Sequence, residues 1–588
     1  MDFHSLIVSA VVFAPLFGAL LLTLVPGSEK GQLKVATLLA MLVTFGLALW
    51  MYLSFDPKGP EFQFQLKAAW VSALGLSYHV GVDGVAVTLM LLTGFLGPVV
   101  AIAAWHNAGE RVKEFCVALL VLQAAMLGTF AAMDVVLFYV FWEAVLIPMY
   151  LIIGIFGSDN RIYASVKFFL FTMVGSMLML IAILFVYLHS GNGGAHSFDY
   201  ASMLEAARRL TPTEQAWVFV AFASAFAVKV PMWPVHTWLP DAHTEAPAAG
   251  SIILAGVMLK MGTFGFMRYA MPMFPEATRQ AAPWIGILAV VGIIYGSFMC
   301  LAQRDMKRLI AYSSVAHLGF VMLGLAALNA QSSTGAVYQM VNHGVSTGAL
   351  FLLIGAIYER RHTRLISEYG GLAKVTPLFA IAFIIIALSS IGLPGTNGFI
   401  GEFMILSGTF TQGRIFAGSL FEHMSLAWVW LAILGTTGVI WAAAYMLTLV
   451  QRLFFGPLRN PRNHHLADLN LREAFAVVPL VLVAVGMGVF PQPFLSRISP
   501  AADRFSRRAA GEWVAVNPAP GDAAVAVPAV GAPPSRFRRE RGSRFQHAQP
   551  IQAQPSPAPQ GTRPVYMPPA RRQQLHLVPP GLERNHRR

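Results

Sequence analysis

The sequence predicts an all-α integral membrane protein of about fourteen transmembrane helices, and three observations lead there. Of its 588 residues, 56% are hydrophobic and only 12% charged, with mean hydropathy +0.61, whereas water-soluble chains carry about 25% charged residues. Apolar runs about as long as a bilayer is thick recur along most of the chain. The period-2 alternation of a membrane β-barrel is absent, and only helices or closed barrels satisfy every backbone group in hydrocarbon.

Taken in order, the expected spans lie near 6–25, 34–54, 84–105, 115–132, 135–156, 166–188, 215–230, 248–270, 284–302, 308–328, 337–358, 376–411, 426–450 and 473–495. The first has no basic stretch before it and no small-residue cleavage pattern, so it is expected to stay as an uncleaved span. From about Pro500 the chain turns rich in Pro, Ala and Arg, which predicts a disordered tail. Between Asp503 and Arg588 that tail carries 14 Arg against 5 acidic residues, a net +9 of the chain's formal +13. The basic balance therefore says little about the membrane part, and no nucleic-acid partner is expected. A solvated extension is the plain reading of the tail; anionic lipid headgroups are the functional one. Cys116 and Cys300 both sit in apolar segments and suggest neither a disulfide framework nor a thiolate metal site.

The expected divisions are residues 1–110 for spans 1–3, 111–272 for a first five-helix repeat, 273–455 for a second, inverted one, 456–500 for span 14 and 501–588 for the tail. Lys and Arg orient the chain, since they gather on the cytoplasmic side. One alternating set of connections holds only Lys58, Lys67, Arg208, Arg209, Arg268, Arg279 and Arg414, while the other, from Lys30 to Arg472, holds more than twice as many. Both ends of the membrane part are thus expected on the outer side.

Ionisable residues inside such spans cost about 2.5–3.5 kcal/mol each even on a lenient insertion scale, so function is the default reading. Six stand out: Glu143 in "FYVFWEAVLIPMY", Lys229 in "AFAVKVPMWP", Lys260 in "AGVMLKMGTFG", His317 in "AYSSVAHLGF", His343 in "MVNHGVSTGALF" and Glu402 in "GTNGFIGEFMIL". Glu143 and Lys229 can neutralise each other if their helices are adjacent. A lone pair of that kind would equally well fix helix packing. Two lysines, two histidines and two glutamates in a row form a proton relay, because burial favours the neutral form of acids and amines alike and brings proton gain and loss within reach at neutral pH.

Pro231 and Pro234 interrupt the helix just after Lys229, and "GLPGTNG" does so before Glu402, a device by which transporters line an ion path. Spans 4–8 and 9–13 each carry a break and a charge in their third member, which suggests an inverted repeat. His236 and His243, with Asp241 or Glu245, could be considered for a metal. Their i, i+7 spacing across Pro240 matches no standard ligand pattern, and polar lining of the relay's mouth is the reading adopted. No Walker A loop, dinucleotide fingerprint, cysteine cluster or nucleophile elbow is present, so no cofactor is expected on this chain.

The stretches "FWEAVLIPMY", "KVPMWPVHTWLPDAHTEAPAAGSIILAGVMLKMG", "AYSSVAHLGF", "NHGVSTGALFLLIGAIYERRHTR" and "LPGTNGFIGEF" resemble the antiporter-like proton-translocating subunits of NADH-quinone oxidoreductase, respiratory complex I. The resemblance covers about residues 1–500. It implies a fourteen-helix subunit with two inverted five-helix repeats, in which Glu143 matches the fifth-helix glutamate, Lys229 its seventh-helix partner and Lys260 the eighth-helix lysine. His317 and His343 match polar groups of the central axis. Glu402 matches the twelfth-helix group, which is glutamate in the M-type branch (chain 4 in mitochondria) and lysine in the L and N types. Also implied are a bacterial inner-membrane location, L-type and N-type neighbours, and NADH, FMN, iron–sulfur clusters and quinone held by other subunits. The tail after Pro500 departs from the family's pattern. Two alternatives remain at this point: a subunit of a multi-chain Na⁺/H⁺ antiporter, and a membrane scaffold whose buried charges only specify packing.

Overall fold

The computed structural model describes residues 3–105, 109–191, 196–415 and 422–516. The chain divides into two units, Met1–Val530 and Gly531–Arg588, and every described residue belongs to the first. Its helices are α1 (Phe3–Leu24), α2 (Lys30–Ser54), α3 (Gly84–Ala103), α4 (Val112–Ala131), α5 (Val135–Phe156) and α6 (Arg161–Leu188). An interrupted α7 follows as α7a (Pro212–Lys229) and α7b (Trp238–Glu245), then α8 (Ala248–Met273), α9 (Pro275–Ala302), α10 (Met306–Ala326) and α11 (Ala330–Arg361). A second interrupted helix, α12a (Pro377–Ser390) and α12b (Asn397–Ile415), precedes α13 (Glu422–Phe454), α14 (Leu471–Val489) and α15 (Gln492–Ala509).

Twelve of the described helices are long and apolar enough to cross a membrane. The two other expected spans are the interrupted ones. α7a has 18 residues with Glu214 and Lys229 among them, and α12a has only 14. Helix starts follow local chemistry: Asp83, Asp134 and Asp305 each accept backbone N–H groups of the first turn, and Thr211 with Glu214 closes a capping box.

The helices sort into a buried centre and an outward-facing rim. The apolar windows of α8 and α10 are wholly buried and that of α11 is 94% buried, against 33–50% for α1, α2, α5, α6, α9, α13 and α14. Lys260, His317 and His343 lie on those three central helices. α9 packs on α10, α11 on α12b, and α6 on α7a.

Two features depart from the expectation of an all-helical chain with a disordered tail. Strands β1 (Gln63–Val71) and β2 (Leu76–Val82) form an antiparallel hairpin between α2 and α3, turning at Gly75 with φ +67°. Asp199 ties it down, accepting from Lys67 Nζ and contacting His79 Nδ1, both at 2.7 Å. Burial alone would raise the Asp199 carboxyl, but those two partners outweigh it and hold it at about 2. Its contribution to stability is therefore present above the ordinary carboxylate range near pH 4 and is lost as pH falls through about 2.

The second departure is α15, which runs through Pro500, so that residues 501–516 belong to the folded part and not to the tail. The physical reason is a buried charge pair: Arg508 clasps Glu61 with two hydrogen bonds of 2.7 Å. Ile498, Ala502 and Phe505 of the same helix are buried. The tail expected beyond Val516 lies outside the described residues. Replacing Arg508 by alanine removes both hydrogen bonds to the Glu61 carboxylate and leaves it only the 3.7 Å contact with Arg504 Nε, which should cost about 3 kcal/mol. Faster hydrogen exchange of the 492–509 amides in the assembled protein is the expected readout.

Candidate functional site

The first half of the site is built by two helix interruptions. In α5, Pro148 has no N–H to offer the carbonyl four residues back, and the helix is interrupted at Val145, just after Glu143. In α7, the regular helix ends at Lys229 because Pro231 and Pro234 cannot continue the ladder. Trp238 Nε1 donates to the Val228 carbonyl at 2.8 Å and satisfies one of the acceptors this frees.

Lys229 is 1% exposed, and its Nζ lies 4.7 Å from the centre of the Trp142 ring with no hydrogen-bond acceptor. Glu143 is the neighbour of Trp142, and its Oε1 is likewise unpartnered. The two groups lie within electrostatic reach of each other. No ion pair within 4 Å joins them among the described residues. The structure thus shows the lysine resting on the indole face, a cation–π contact, with its carboxylate nearby.

The second half is a row of side chains with one gap, between two histidines. Lys260 sits in α8 between two π-helical stretches, Leu254–Met258 and Phe266–Ala270, whose wider turns often mark functional positions. Its Nζ donates to the Ala255 carbonyl and, at 2.6 Å, to His343 Nδ1 on α11. His343 Nε2 is unpartnered, and its ring centre is 5.8 Å from that of His317 on α10. His317 Nδ1 lies 3.3 Å from Glu402 Oε1, while its Nε2 meets Ser390 Oγ at 3.3 Å and the Tyr445 hydroxyl at 3.5 Å. Gln339 Nε2 donates to the same Glu402 oxygen at 3.0 Å.

The α12 interruption is held in place beside this row. Asn342 Nδ2 donates to the Asn397 carbonyl at 2.8 Å and to Gln339 Oε1 at 3.0 Å. Gly392 turns with φ +74°, and a Cβ there would come within 2.9 Å of Glu402 Oε2. Only glycine allows the chain to reverse that close to the carboxylate.

Of the six residues expected to form the relay, four are therefore brought together as Lys260, His343, His317 and Glu402, and two stand as a separate group around Trp142. No side-chain hydrogen bond bridges Lys229 and Lys260 among the described residues. His236, in the α7 interruption, and His243, on α7b, have other surroundings than a metal would need: Asp241 is engaged by Lys167 at 2.7 Å and Arg308 at 3.4 Å, and Glu245 accepts from the Asn160 N–H. His236 meets the Tyr295 ring at 5.1 Å. His243 is fully buried, stacked on Phe351 at 4.5 Å with neither ring nitrogen bonded, and within electrostatic reach of both Lys260 and Lys307.

Lys307, Gln339, Asn342, Ser390 and Tyr445 were not among the expected site residues. Lys307 is buried and donates to the Ala246 and Thr244 carbonyls. Beside it opens a cavity of about 300 Å³ lined by Ser158, Asp159, Lys307, Tyr358 and Arg364 among others. The signal for Gln339 was its i, i+4 spacing from His343 on one helix face.

The family described as NADH:quinone oxidoreductase/Mrp antiporter, TM, matches residues 132–426, half of the chain. NADH-quinone oxidoreductase subunit M of Rhodobacter capsulatus is 44% identical over 506 residues, covering 84% of this chain and 95% of that one. NADH-ubiquinone oxidoreductase chain 4 of Marchantia polymorpha is 38% identical over 488 residues, with 83% and 94% covered. A chain of respiratory complex I from Thermus thermophilus with bound NADH superposes with TM-score 0.76 at 34% identity, covering 86% of this chain and all of that one. A chain of the Mrp complex from Dietzia sp. DQ12-45-1b shares the fold, with TM-score 0.72 at 20% identity over 87% and 99% of the two chains. With 44% identity across nearly the whole of one relative and the family's pattern over half its length, this chain belongs to the NADH:quinone oxidoreductase/Mrp antiporter family of membrane subunits.

Proposed function

We propose that this chain is the proton-translocating M-type subunit in the membrane arm of an NADH-quinone oxidoreductase. The observation that carries the reading is the row Lys260, His343, His317 and Glu402 through the buried centre of the bundle. Each member can take up and release a proton, and each stands within hydrogen-bond reach or one water of the next. NADH oxidation through FMN and iron–sulfur clusters, and quinone reduction, would take place in other subunits; this chain supplies the ion path of the enzyme complex.

In this reading protons enter from the cavity beside Lys307, pass His243 to Lys260, and move along the histidines to Glu402 for release on the outer side. Glu143 and Lys229 form the switch. When charge changes in a neighbouring subunit, Lys229 moves between the Trp142 face and the Glu143 carboxylate, and the field it exerts sets whether Lys260 holds its proton. The seventh and twelfth spans, both interrupted, would be counterparts in two inverted five-helix repeats of a fourteen-span subunit. L-type and N-type chains would flank it in a bacterial inner membrane, with the N-terminus and the end of the membrane part on the outer side.

Purification of the native complex through this chain tests the assignment. The expected result is co-purification with flavin and iron–sulfur subunits and NADH-driven quinone reduction; a complex that exchanges Na⁺ for H⁺ without electron carriers would replace this reading with the antiporter one. The switch has its own prediction. A cation–π contact in a desolvated site is worth about 2 kcal/mol, so Trp142→Leu should slow coupled turnover several-fold while Trp142→Phe keeps most of it. NADH-driven quinone reduction in membranes, compared at equal assembly on native gels, is the measurement.

A further inference from the structure

An apolar crevice of about 190 Å³ opens on the outside of the bundle, between α2, α3, α11, α14 and α15, and has no part in the relay. Phe45, Leu91, Phe95, Val345 and Phe494 line it. Its one polar side chain, Thr88, is already spent on the Gly84 carbonyl at 2.7 Å. The volume exceeds that of the ~150 Å³ apolar cavity that admits a benzene ring. With no donor left to meet a carbonyl or headgroup, the lining suits plain hydrocarbon.

Depth and charge identify which hydrocarbon. From Thr88 to Phe95 the lining runs seven residues along α3, about 10 Å of helix, which fits inside one leaflet of an ~30 Å hydrocarbon core. α15 supplies Phe494 to the lining and packs on α3, and Tyr52 near the end of α2 donates to the Pro493 carbonyl. There Arg497, one turn beyond Phe494, is fixed by Nε to the Tyr52 carbonyl at 3.1 Å, by Nη1 to the Pro493 carbonyl at 2.8 Å, and over the Tyr52 ring at 4.4 Å. No carboxylate pairs with it among the described residues. A held guanidinium with no carboxylate partner, one helical turn from a leaflet-deep apolar lining, is complementary to a phosphate carrying an acyl chain.

We infer that this crevice is a phospholipid site, taking one acyl chain along its lining and the phosphate at Arg497. The chain it holds lies against Val341 and Val345, which flank His343 on α11, and against Leu92, which fills the space over Gly344. The lipid therefore braces the helical turn that carries the central histidine.

The whole complex, equilibrated with phosphatidylglycerol bearing a diazirine midway along one acyl chain and then illuminated, tests the site by peptide mass spectrometry. Labelling is expected to concentrate on Phe45, Leu91, Phe95 and Phe494, above that of the lipid-exposed Ile181 and Leu184 on α6. Val345→Phe, which fills the floor, should lower it about tenfold, a loss of about 1.4 kcal/mol of binding. Arg497→Gln, which removes the guanidinium from a half-buried position outside the lining, should lower labelling by the phospholipid but not by a diazirine-bearing fatty alcohol. Labelling no greater than at the α6 controls, labelling indifferent to both variants, or cross-links from these residues to a neighbouring subunit in place of lipid would each overturn the proposal.

Discussion

Replacing Glu143 by alanine is expected to leave the complex assembled and to cut NADH-driven quinone reduction at least about tenfold, a barrier change of 1.4 kcal/mol or more. The geometry gives the reason. Lys229 Nζ is buried with no hydrogen-bond acceptor, and Glu143 is the charged group within its reach. Without that carboxylate the ammonium has only the Trp142 face, and the switch has a single resting position. Assembly should survive because Glu143 makes no ion pair within 4 Å among the described residues and sits only half-buried at a helix interruption. Glu143→Asp, which keeps the charge one methylene further back, should fall between. Rates near wild type in an assembled Glu143→Ala complex would reduce the pair to a packing role. The measurement is NADH-driven quinone reduction normalised to assembled complex on native gels.

Lys260→Met carries the other large effect. The methionine fills the fully buried space at similar length but donates nothing, so it removes the 2.6 Å contact to His343 Nδ1 and the bond to the Ala255 carbonyl together. His343 Nε2 is already unpartnered, so the ring then has no protonatable neighbour on the α8 side. A proton would have to cross that gap unaided, and a loss of about tenfold or more in coupled turnover is expected. Adding His343→Ala to Lys260→Met should cost little further, because residues acting in series through one path are not additive. A double variant as much slower again as the single one would mean that the two act in separate routes. Steady-state rates of the two single variants and the double variant decide it.

The sequence announced the site residue by residue but not the distances among them. Lys260 and His343 were legible because a charge or an imidazole inside an apolar run has no cheap structural excuse. Their contact was not, since nothing in a linear pattern says which of the central helices face each other. Glu143 and Lys229 were expected as a pair. The intervening Trp142 ring was invisible for a simple reason: an aromatic residue in an apolar run reads as ordinary packing. Lys307 was counted as a connection residue at the start of an apolar run, and its burial under the α7b carbonyls follows from how α10 begins beneath that segment. Gln339 and Asn342 are small polar residues on a helix face that is wholly buried, which composition alone does not distinguish from a half-exposed one.

The fold was legible to a similar depth. The spans appear close to where apolarity placed them, and the interruptions of α7 and α12 fall at their prolines and glycines. The two misses lie outside the hydrocarbon. The hairpin is made of short strands whose alternation was overshadowed by the neighbouring spans, and it holds through Asp199, more than a hundred residues away. Helix α15 was hidden by its own composition. Its charges and prolines match those of the tail, while the bond from Arg508 to Glu61 that folds it is a long-range pairing.

The central claim is that protons cross this subunit through Lys260, His343, His317 and Glu402. Its most direct test is the number of protons moved per NADH oxidised by the complex in sealed proteoliposomes, wild type against Glu402→Gln. The amide can still hydrogen-bond His317 and Gln339 but cannot take and release a proton at neutral pH. The variant complex, fully assembled, is expected to translocate fewer protons per NADH or to stall altogether. An unchanged proton yield at an unchanged rate would contradict it.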